Sequence, residues 1–107
     1  MIWYRSGGRC EICGRDVNTG MVSIHHRKPR RMGGTSDPLI NDPSNLMLVC
    51  GSGTTGCHGK IESNRTEAYQ DGYLLHSGQD SSAIPARIHG KGFRLLTSDG
   101  AYKALWE

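Results

Sequence analysis

Four cysteines constrain this chain more than any other feature. Cys10 and Cys13 are separated by two residues, Cys50 and Cys57 follow much later, and no other thiol is present. A Cys-x-x-Cys pair followed by glycine is typical of a tight turn that directs both sulfurs at one ion. Four thiolates complete a tetrahedral zinc site and leave no open position for chemistry. The sequence therefore predicts a structural Zn²⁺ site.

The composition explains why such a cross-link is needed. The chain has 107 residues, of which 36% are hydrophobic, 7% are aromatic and 15 are glycine. A chain of this size buries only a small core, so a metal or disulfides must supplement apolar packing. Two disulfides would suit a secreted domain, but no secretion signal is recognisable at the N-terminus. We therefore favour zinc in a soluble, cytoplasmic protein.

The second cysteine pair departs from the usual spacing. Six residues, 51–56, separate Cys50 from Cys57, whereas most zinc hairpins use roughly two to four. This segment is rich in glycine and threonine. We expect it to fold back, so that both sulfurs reach the same ion.

Hydrophobic patterning predicts two strands and a helix around the cysteines. Apolar segments over residues 21–25 and 45–49 would pair as an antiparallel ribbon. A helix is expected to begin at Gly56, with Cys57 and Ile61 on one face. Three strand-like pieces follow in the C-terminal part, over residues 73–76, 83–88 and 93–97.

Histidines occur at both ends of this predicted unit. His25 and His26 end the first strand, and His58 lies near the start of the helix. Glu62 follows His58 at a spacing of i to i+4, which projects both side chains from adjacent turns toward a common ion. The remaining histidines fall outside the pattern and are expected to be structural: His76 and His89.

Four of the chain's thirteen lysines and arginines stand within five consecutive positions. The net charge is +3, a mild basic bias that permits nucleic-acid binding without requiring it. Proline and glycine exclude a helix after the first strand, so the basic run is expected to lie on an exposed loop. Such a cluster is suited to contact a phosphate backbone. The predicted DNA-contacting residues are Arg27, Lys28, Arg30 and Arg31.

The order of these motifs resembles that of the HNH endonucleases. The matching segments are Ser-Ile-His-His-Arg-Lys-Pro-Arg-Arg-Met-Gly-Gly, Asn-Leu-Met-Leu-Val-Cys and Gly-Cys-His-Gly-Lys-Ile-Glu. Over residues 10–65 the chain is similar to zinc-containing HNH proteins of bacteriophages. The resemblance implies an α+β fold with a ββα-metal (His-Me finger) core in a single domain, 1–107. Residues 66–107 would then form a β-rich C-terminal extension.

The resemblance also implies roles for individual residues. His26 matches the general base that takes a proton from the attacking water. His25, His58 and Glu62 match the ligands of a catalytic divalent cation, which Mg²⁺, Mn²⁺, Ni²⁺ or Zn²⁺ would satisfy. Asn45 matches the central asparagine, which holds the hairpin loop closed and orients the His26 ring through the backbone.

The implied activity is metal-dependent hydrolysis of DNA, one strand at a time. Its products would carry 5′-phosphate and 3′-hydroxyl ends, and the protein would act as a monomer or weak dimer. The resemblance to phage proteins adds a terminase as a partner, DNA packaging as a process and the host cytoplasm as the location. The alternative is a non-catalytic, zinc-stabilised nucleic-acid-binding module, which would leave the His25–His26 pair and Glu62 unexplained.

Overall fold

The computed structural model describes residues 2–16, 20–29 and 39–105. Helices and strands are mixed along the chain, as an α+β fold requires. In chain order the elements are α1 (Ile2–Ser6), β1 (Val22–His26), a 3-10 helix (Pro43–Asn45), β2 (Leu46–Cys50), α2 (Gly56–Ser63), α3 (Arg65–Gln70), β3 (Ala86–Ile88), β4 (Gly92–Leu96) and β5 (Tyr102–Lys103). Within the described ranges, no helix combines the length and apolarity that crossing a bilayer requires.

The predicted ribbon of two strands is confirmed. Strands β1 and β2 pair antiparallel in an unbroken register from Val22 opposite Cys50 to His26 opposite Leu46. Because side chains alternate along a strand, Ser23 and His25 share one face of the hairpin. Helix α2 packs against β2, so this face of the hairpin meets the helix.

Two glycines fold the segment between Cys50 and Cys57 back on itself, as expected. Gly51 has a φ of +89°, and a Cβ there would lie 2.0 Å from the carbonyl oxygen of Thr55. Gly56 has a φ of +61°, and its Cβ would meet the Cys50 carbonyl at 2.7 Å. Left-handed backbone and this close approach both demand glycine. Helix α2 therefore begins directly beside the end of β2.

The C-terminal half forms a three-stranded sheet that packs into the same core. The order is β3-β4-β5, with antiparallel pairing throughout. Ala86, Ile88 and Leu96 from this sheet share one buried cluster with Cys57 and Ile61 of α2. The sheet thus packs directly on the cysteine region.

One local expectation needs correction, and two helices are additions. Residues 73–76 are not a strand, because the amides of Tyr73 and Leu74 both donate to the Ala68 carbonyl and thus close a turn after α3. Helices α1 and α3 were not predicted from the sequence. The strand-like pieces at 83–88 and 93–97 are confirmed in shortened or shifted form as β3 and β4.

Candidate metal centres and active site

The four cysteines converge on one point. Each sulfur lies within 4.8 Å of the other three, and Cys13 Sγ lies 3.7 Å from Cys50 Sγ. Sulfurs bound to zinc at about 2.3 Å in a tetrahedron would be about 3.8 Å apart, so the spacing fits the ion. All four thiols are free. The arrangement favours a metal over the alternative of two disulfides.

The electrostatics of the cluster point the same way. Burial raises the pKa of Cys57, as does the nearby Cys10, and burial likewise raises the pKa of Cys10. At Cys50 burial acts in the same direction, but the Cys57 amide at 3.4 Å and neighbouring thiols outweigh it and lower the pKa of Cys50. Four crowded thiols cannot all ionise without a cation between them. Metal binding would deprotonate the set.

His25 is buried with one ring nitrogen tied to the backbone. The side chain is 3% exposed, and Nε2 lies 2.6 Å from the carbonyl oxygen of Tyr73. Because a carbonyl only accepts, Nε2 carries the proton and Nδ1 keeps its lone pair. Burial lowers the pKa of His25 to about 4, assisted by the nearby His58 and His26. The ring is therefore neutral at pH 7 and able to ligate a metal through Nδ1.

His58 faces His25 and is held by Ser23. Ser23 Oγ donates to the Gly51 carbonyl at 2.9 Å and lies 2.7 Å from His58 Nδ1. Its only proton is used toward Gly51, so His58 Nδ1 is the donor and Nε2 keeps the lone pair. The rings of His25 and His58 lie edge to face, with centroids 5.3 Å apart. Two imidazole rings thus adjoin each other, each with one nitrogen in a hydrogen bond and, among the described residues, the other without one.

Asn45 closes the loop between the two strands. Its side-chain oxygen accepts from the Lys28 amide at 2.8 Å, and its amide group donates to the carbonyls of Lys28 at 3.2 Å and Ile40 at 2.9 Å. The Asn45 carbonyl also accepts from the Arg27 amide. Asn45 is 1% exposed. It therefore fixes the backbone immediately after His26 to the far end of the loop.

His26 leaves the strand end toward Asn41. Its Nε2 lies 2.9 Å from Asn41 Oδ1, which makes Nε2 the donor and leaves the Nδ1 lone pair free. The β1–β2 register is regular through His26, so alternation places this side chain on the face of the hairpin opposite His25. His26 is half-buried, whereas His25 is buried.

A family model described as HNH endonuclease matches residues 10–64, which is just over half of the chain. The chain belongs to the HNH endonuclease family. No curated protein and no solved structure gives a significant match to the chain. The matched range, called the HNH unit below, runs from Cys10 through β1, β2 and α2. It contains all four cysteines and the three histidines described above.

Glu62 does not join the imidazoles of the HNH unit. It lies on the exposed side of α2, and its carboxylate pairs with Arg65 at 3.0 Å. In the part of the chain that the structure describes, the four cysteines are the one group of three or more potential metal ligands whose ligand atoms lie close to one another. The helical spacing from His58 is correct, but the carboxylate is directed elsewhere.

The basic run of the HNH unit is not a uniform exposed loop. Arg27 is fully buried, and its guanidinium donates to backbone carbonyls, so the expected contact between Arg27 and DNA phosphate is wrong for this side chain. Lys28 is half-buried. Arg30 and Arg31 lie outside the described residues.

Sequence reasoning missed Ser23 and the backbone carbonyl of Tyr73, which together set the two histidine tautomers. Ser23 stands two residues before His25 in a predicted strand, so a shared face was foreseeable from alternation. The role of Tyr73 was not foreseeable, because residue 73 reaches His25 only through the tertiary fold. Nothing in the local pattern marks that carbonyl.

Proposed function

We propose that the protein is a metal-dependent endonuclease that nicks DNA. The observation that carries the proposal is the adjoining pair of imidazole rings, His25 and His58, each with one nitrogen held by a hydrogen bond and the other available for a cation. Membership of the HNH endonuclease family supports a nuclease activity. The cysteine cluster would take zinc for stability, since four thiolates leave no open position.

In this proposal His25 Nδ1 and His58 Nε2 hold one divalent cation. Neutral imidazole accepts several ions of this class, including Mn²⁺, Ni²⁺ and Zn²⁺, and Mg²⁺ is served when oxygen ligands complete the set. When bound, the cation supplies positive charge that stabilises the phosphate as negative charge develops in the transition state. Glu62 is left out of this ligand set, because its carboxylate pairs with Arg65.

His26 acts as the general base, which requires its ring to turn from the end of β1 toward a phosphate bound beside His25 and His58. Its free Nδ1 accepts a proton from a water molecule whose oxygen attacks the scissile phosphorus, while Asn41 holds Nε2. The bond from phosphorus to the 3′ oxygen breaks, and that oxygen takes up a proton from solvent. The products carry a 5′-phosphate and a 3′-hydroxyl. Asn45 serves the reaction indirectly by fixing the backbone that follows His26.

DNA is bound through its phosphates by the basic residues that follow the base, Lys28, Arg30 and Arg31. One base and one cation site account for one cut per binding event, which is why nicking is proposed for a monomer or weak dimer. A link to phage DNA packaging, with a terminase as partner, rests on the resemblance alone.

The test is incubation of supercoiled plasmid with Mg²⁺ or Mn²⁺, comparing the wild type with His26→Ala. We expect nicked circles from the wild type and a loss of about 10²–10⁴-fold in His26→Ala, which is the usual contribution of a general base. His89→Ala is the matched control, since the His89 side chain is exposed and has no role in the proposed mechanism.

Three outcomes would overturn the assignment. Cleavage that persists in His26→Ala, or that survives removal of divalent cations by a chelator, would exclude the proposed mechanism. DNA binding without cleavage by any variant would establish the alternative, a zinc-stabilised nucleic-acid-binding module.

A further inference from the structure

Arg27 is a buried charge whose described hydrogen-bond partners are all backbone carbonyls. The side chain is 0% exposed. Its Nε donates to Gly72 at 2.8 Å, Nη1 donates to Ser44 and Ser81 at 2.8 Å each, and Nη2 donates to Ile84 at 2.6 Å. Burying a charge is costly unless hydrogen bonds replace its hydration, and here four carbonyl dipoles do so. An arrangement of this cost requires a structural reason.

The acceptors tie two separate parts of the chain to the end of β1. Ser44 precedes β2, whereas Gly72, Ser81 and Ile84 belong to the segment between α3 and β3. That segment lies beyond residues 10–64, the range that matches the family. The guanidinium therefore fastens residues 72–84 to the catalytic hairpin.

The fastened segment also contacts His25. Gly72 accepts from the Arg27 side chain, Tyr73 accepts from His25 Nε2, and Leu75 donates its amide to the Arg27 carbonyl at 3.0 Å. Residues 72–75 thus touch both neighbours of His26 in the sequence. Displacement of this segment would remove the hydrogen bond that keeps the proton on His25 Nε2.

We propose that Arg27 is a positioning residue, which anchors residues 72–84 so that the Tyr73 carbonyl holds His25 with its lone pair on Nδ1, directed to the cation. The catalytic consequence rests on the proposed function, while the anchoring and the tautomer do not. The C-terminal segment thereby becomes part of the metal site rather than a separate extension.

Arginine is specifically suited to this role. Its planar guanidinium presents five N–H donors in a fixed fork, and four carbonyls around it are satisfied at once. Lysine keeps the charge but offers three donors from a single nitrogen on a shorter side chain. In Arg27→Lys at least one of the four carbonyls must lose its donor, so the segment should loosen while the net charge is unchanged.

The first test measures nicking by Arg27→Lys over a range of Mn²⁺ concentrations, with Arg65→Lys as the control at an exposed position. We expect a fall of about 10–100-fold in activity or in apparent Mn²⁺ affinity, as is typical when a group that orients a metal ligand is lost. Zinc content, DNA affinity and its salt dependence should match the wild type. An unchanged Mn²⁺ response, or weaker DNA binding with a shallower salt dependence, would overturn the proposal.

A second test uses the wild-type protein and needs no activity. In the zinc-loaded chain without other cations, ¹⁵N NMR should show His25 as the Nε2–H tautomer, and the Arg27 Nε–H should exchange with solvent far more slowly than that of exposed Arg65. A proton on His25 Nδ1, or equally fast exchange at both arginines, would overturn the positioning role even if Arg27→Lys fails to fold. Absence of nicking with the expected spectrum would overturn the proposed function alone.

Discussion

Replacement of Glu11 should destabilise the protein far more than replacement of any surface charge. Glu11 stands between Cys10 and Cys13 in the sequence, and its carboxylate forms a two-pronged ion pair with Arg5, both distances being 2.9 Å. Both side chains are fully buried. Glu11 also accepts from the Leu48 amide at 2.8 Å and from the Tyr102 hydroxyl at 2.5 Å.

The structure sets the size of the effect. Glu11→Ala leaves the Arg5 guanidinium buried without its counter-charge, although Arg5 keeps its bonds to the carbonyls of Pro43 and Leu46. Removing one partner of a buried pair costs about 3–5 kcal/mol, which is a large part of the roughly 5–15 kcal/mol that stabilises a domain. Glu11→Gln preserves the shape of the side chain, but its NH₂ group faces N–H and O–H donors that the carboxylate accepted from. The free energy of unfolding should therefore still fall by about 2 kcal/mol or more.

Urea unfolding at saturating zinc measures this loss. With an m-value of about 1.5 kcal/mol/M, Glu11→Ala should lower the midpoint by about 2–3 M. The control is Arg65→Ala, which breaks the pair with Glu62 whose side chains are 45% and 47% exposed, and which should cost about 0.5 kcal/mol or less. A Glu11→Ala midpoint within error of the control would refute the view that this pair joins the N-terminus, the cysteine turn and β5.

Two further predictions concern the metal site and pH. Native mass spectrometry should find one zinc per chain in the wild type and none in Cys50→Ser. A strong chelator should unfold the wild type, because structural zinc contributes about 10–16 kcal/mol to folding. A zinc-free protein that melts at the same temperature would contradict this prediction. Burial lowers the pKa of His25 to about 4 in the folded protein, so protonation of this ring favours the unfolded state. Without added divalent cations, the free energy of unfolding should therefore be highest above about pH 6.5 and should fall by about 3 kcal/mol as the pH is lowered to 4. His25→Asn, which has no titrating ring, should lose less stability than the wild type between about pH 6.5 and 4. Equal losses of the two proteins in urea unfolding would contradict the assignment of this pH dependence to His25.

The sequence predicted those parts of the fold and site that depend on residues close together in the chain. The ribbon of two strands, the helix from Gly56 and the four-cysteine cluster all follow from alternation, helical spacing and thiol chemistry. Helix α3 was missed because it is short and has no side-chain cap at its start. Residues 73–76 looked like a strand because they begin with three apolar side chains, but the amides of residues 73–75 bond to α3 and to Arg27 instead.

Arg27 shows most clearly where sequence reasoning fails. In the sequence it is the first of a basic run and is indistinguishable from its neighbours, so a surface role was the natural interpretation. Its burial is decided by the carbonyls of Gly72, Ser81 and Ile84, which lie far along the chain and carry no side-chain signal. A backbone acceptor can be supplied by any residue, so no residue type in the sequence marks it.

Residues outside the matched motif also shape the candidate site. The family match ends at residue 64, yet the tautomer of His25 depends on a carbonyl at residue 73, and that carbonyl lies in a segment anchored by Arg27. A fragment ending at residue 64 would keep every ligand of the motif and lose the acceptor that holds one of them. In the proposed mechanism the C-terminal half therefore contributes to the metal site, because the Tyr73 carbonyl holds the proton on Nε2 of His25 and leaves Nδ1 for a cation.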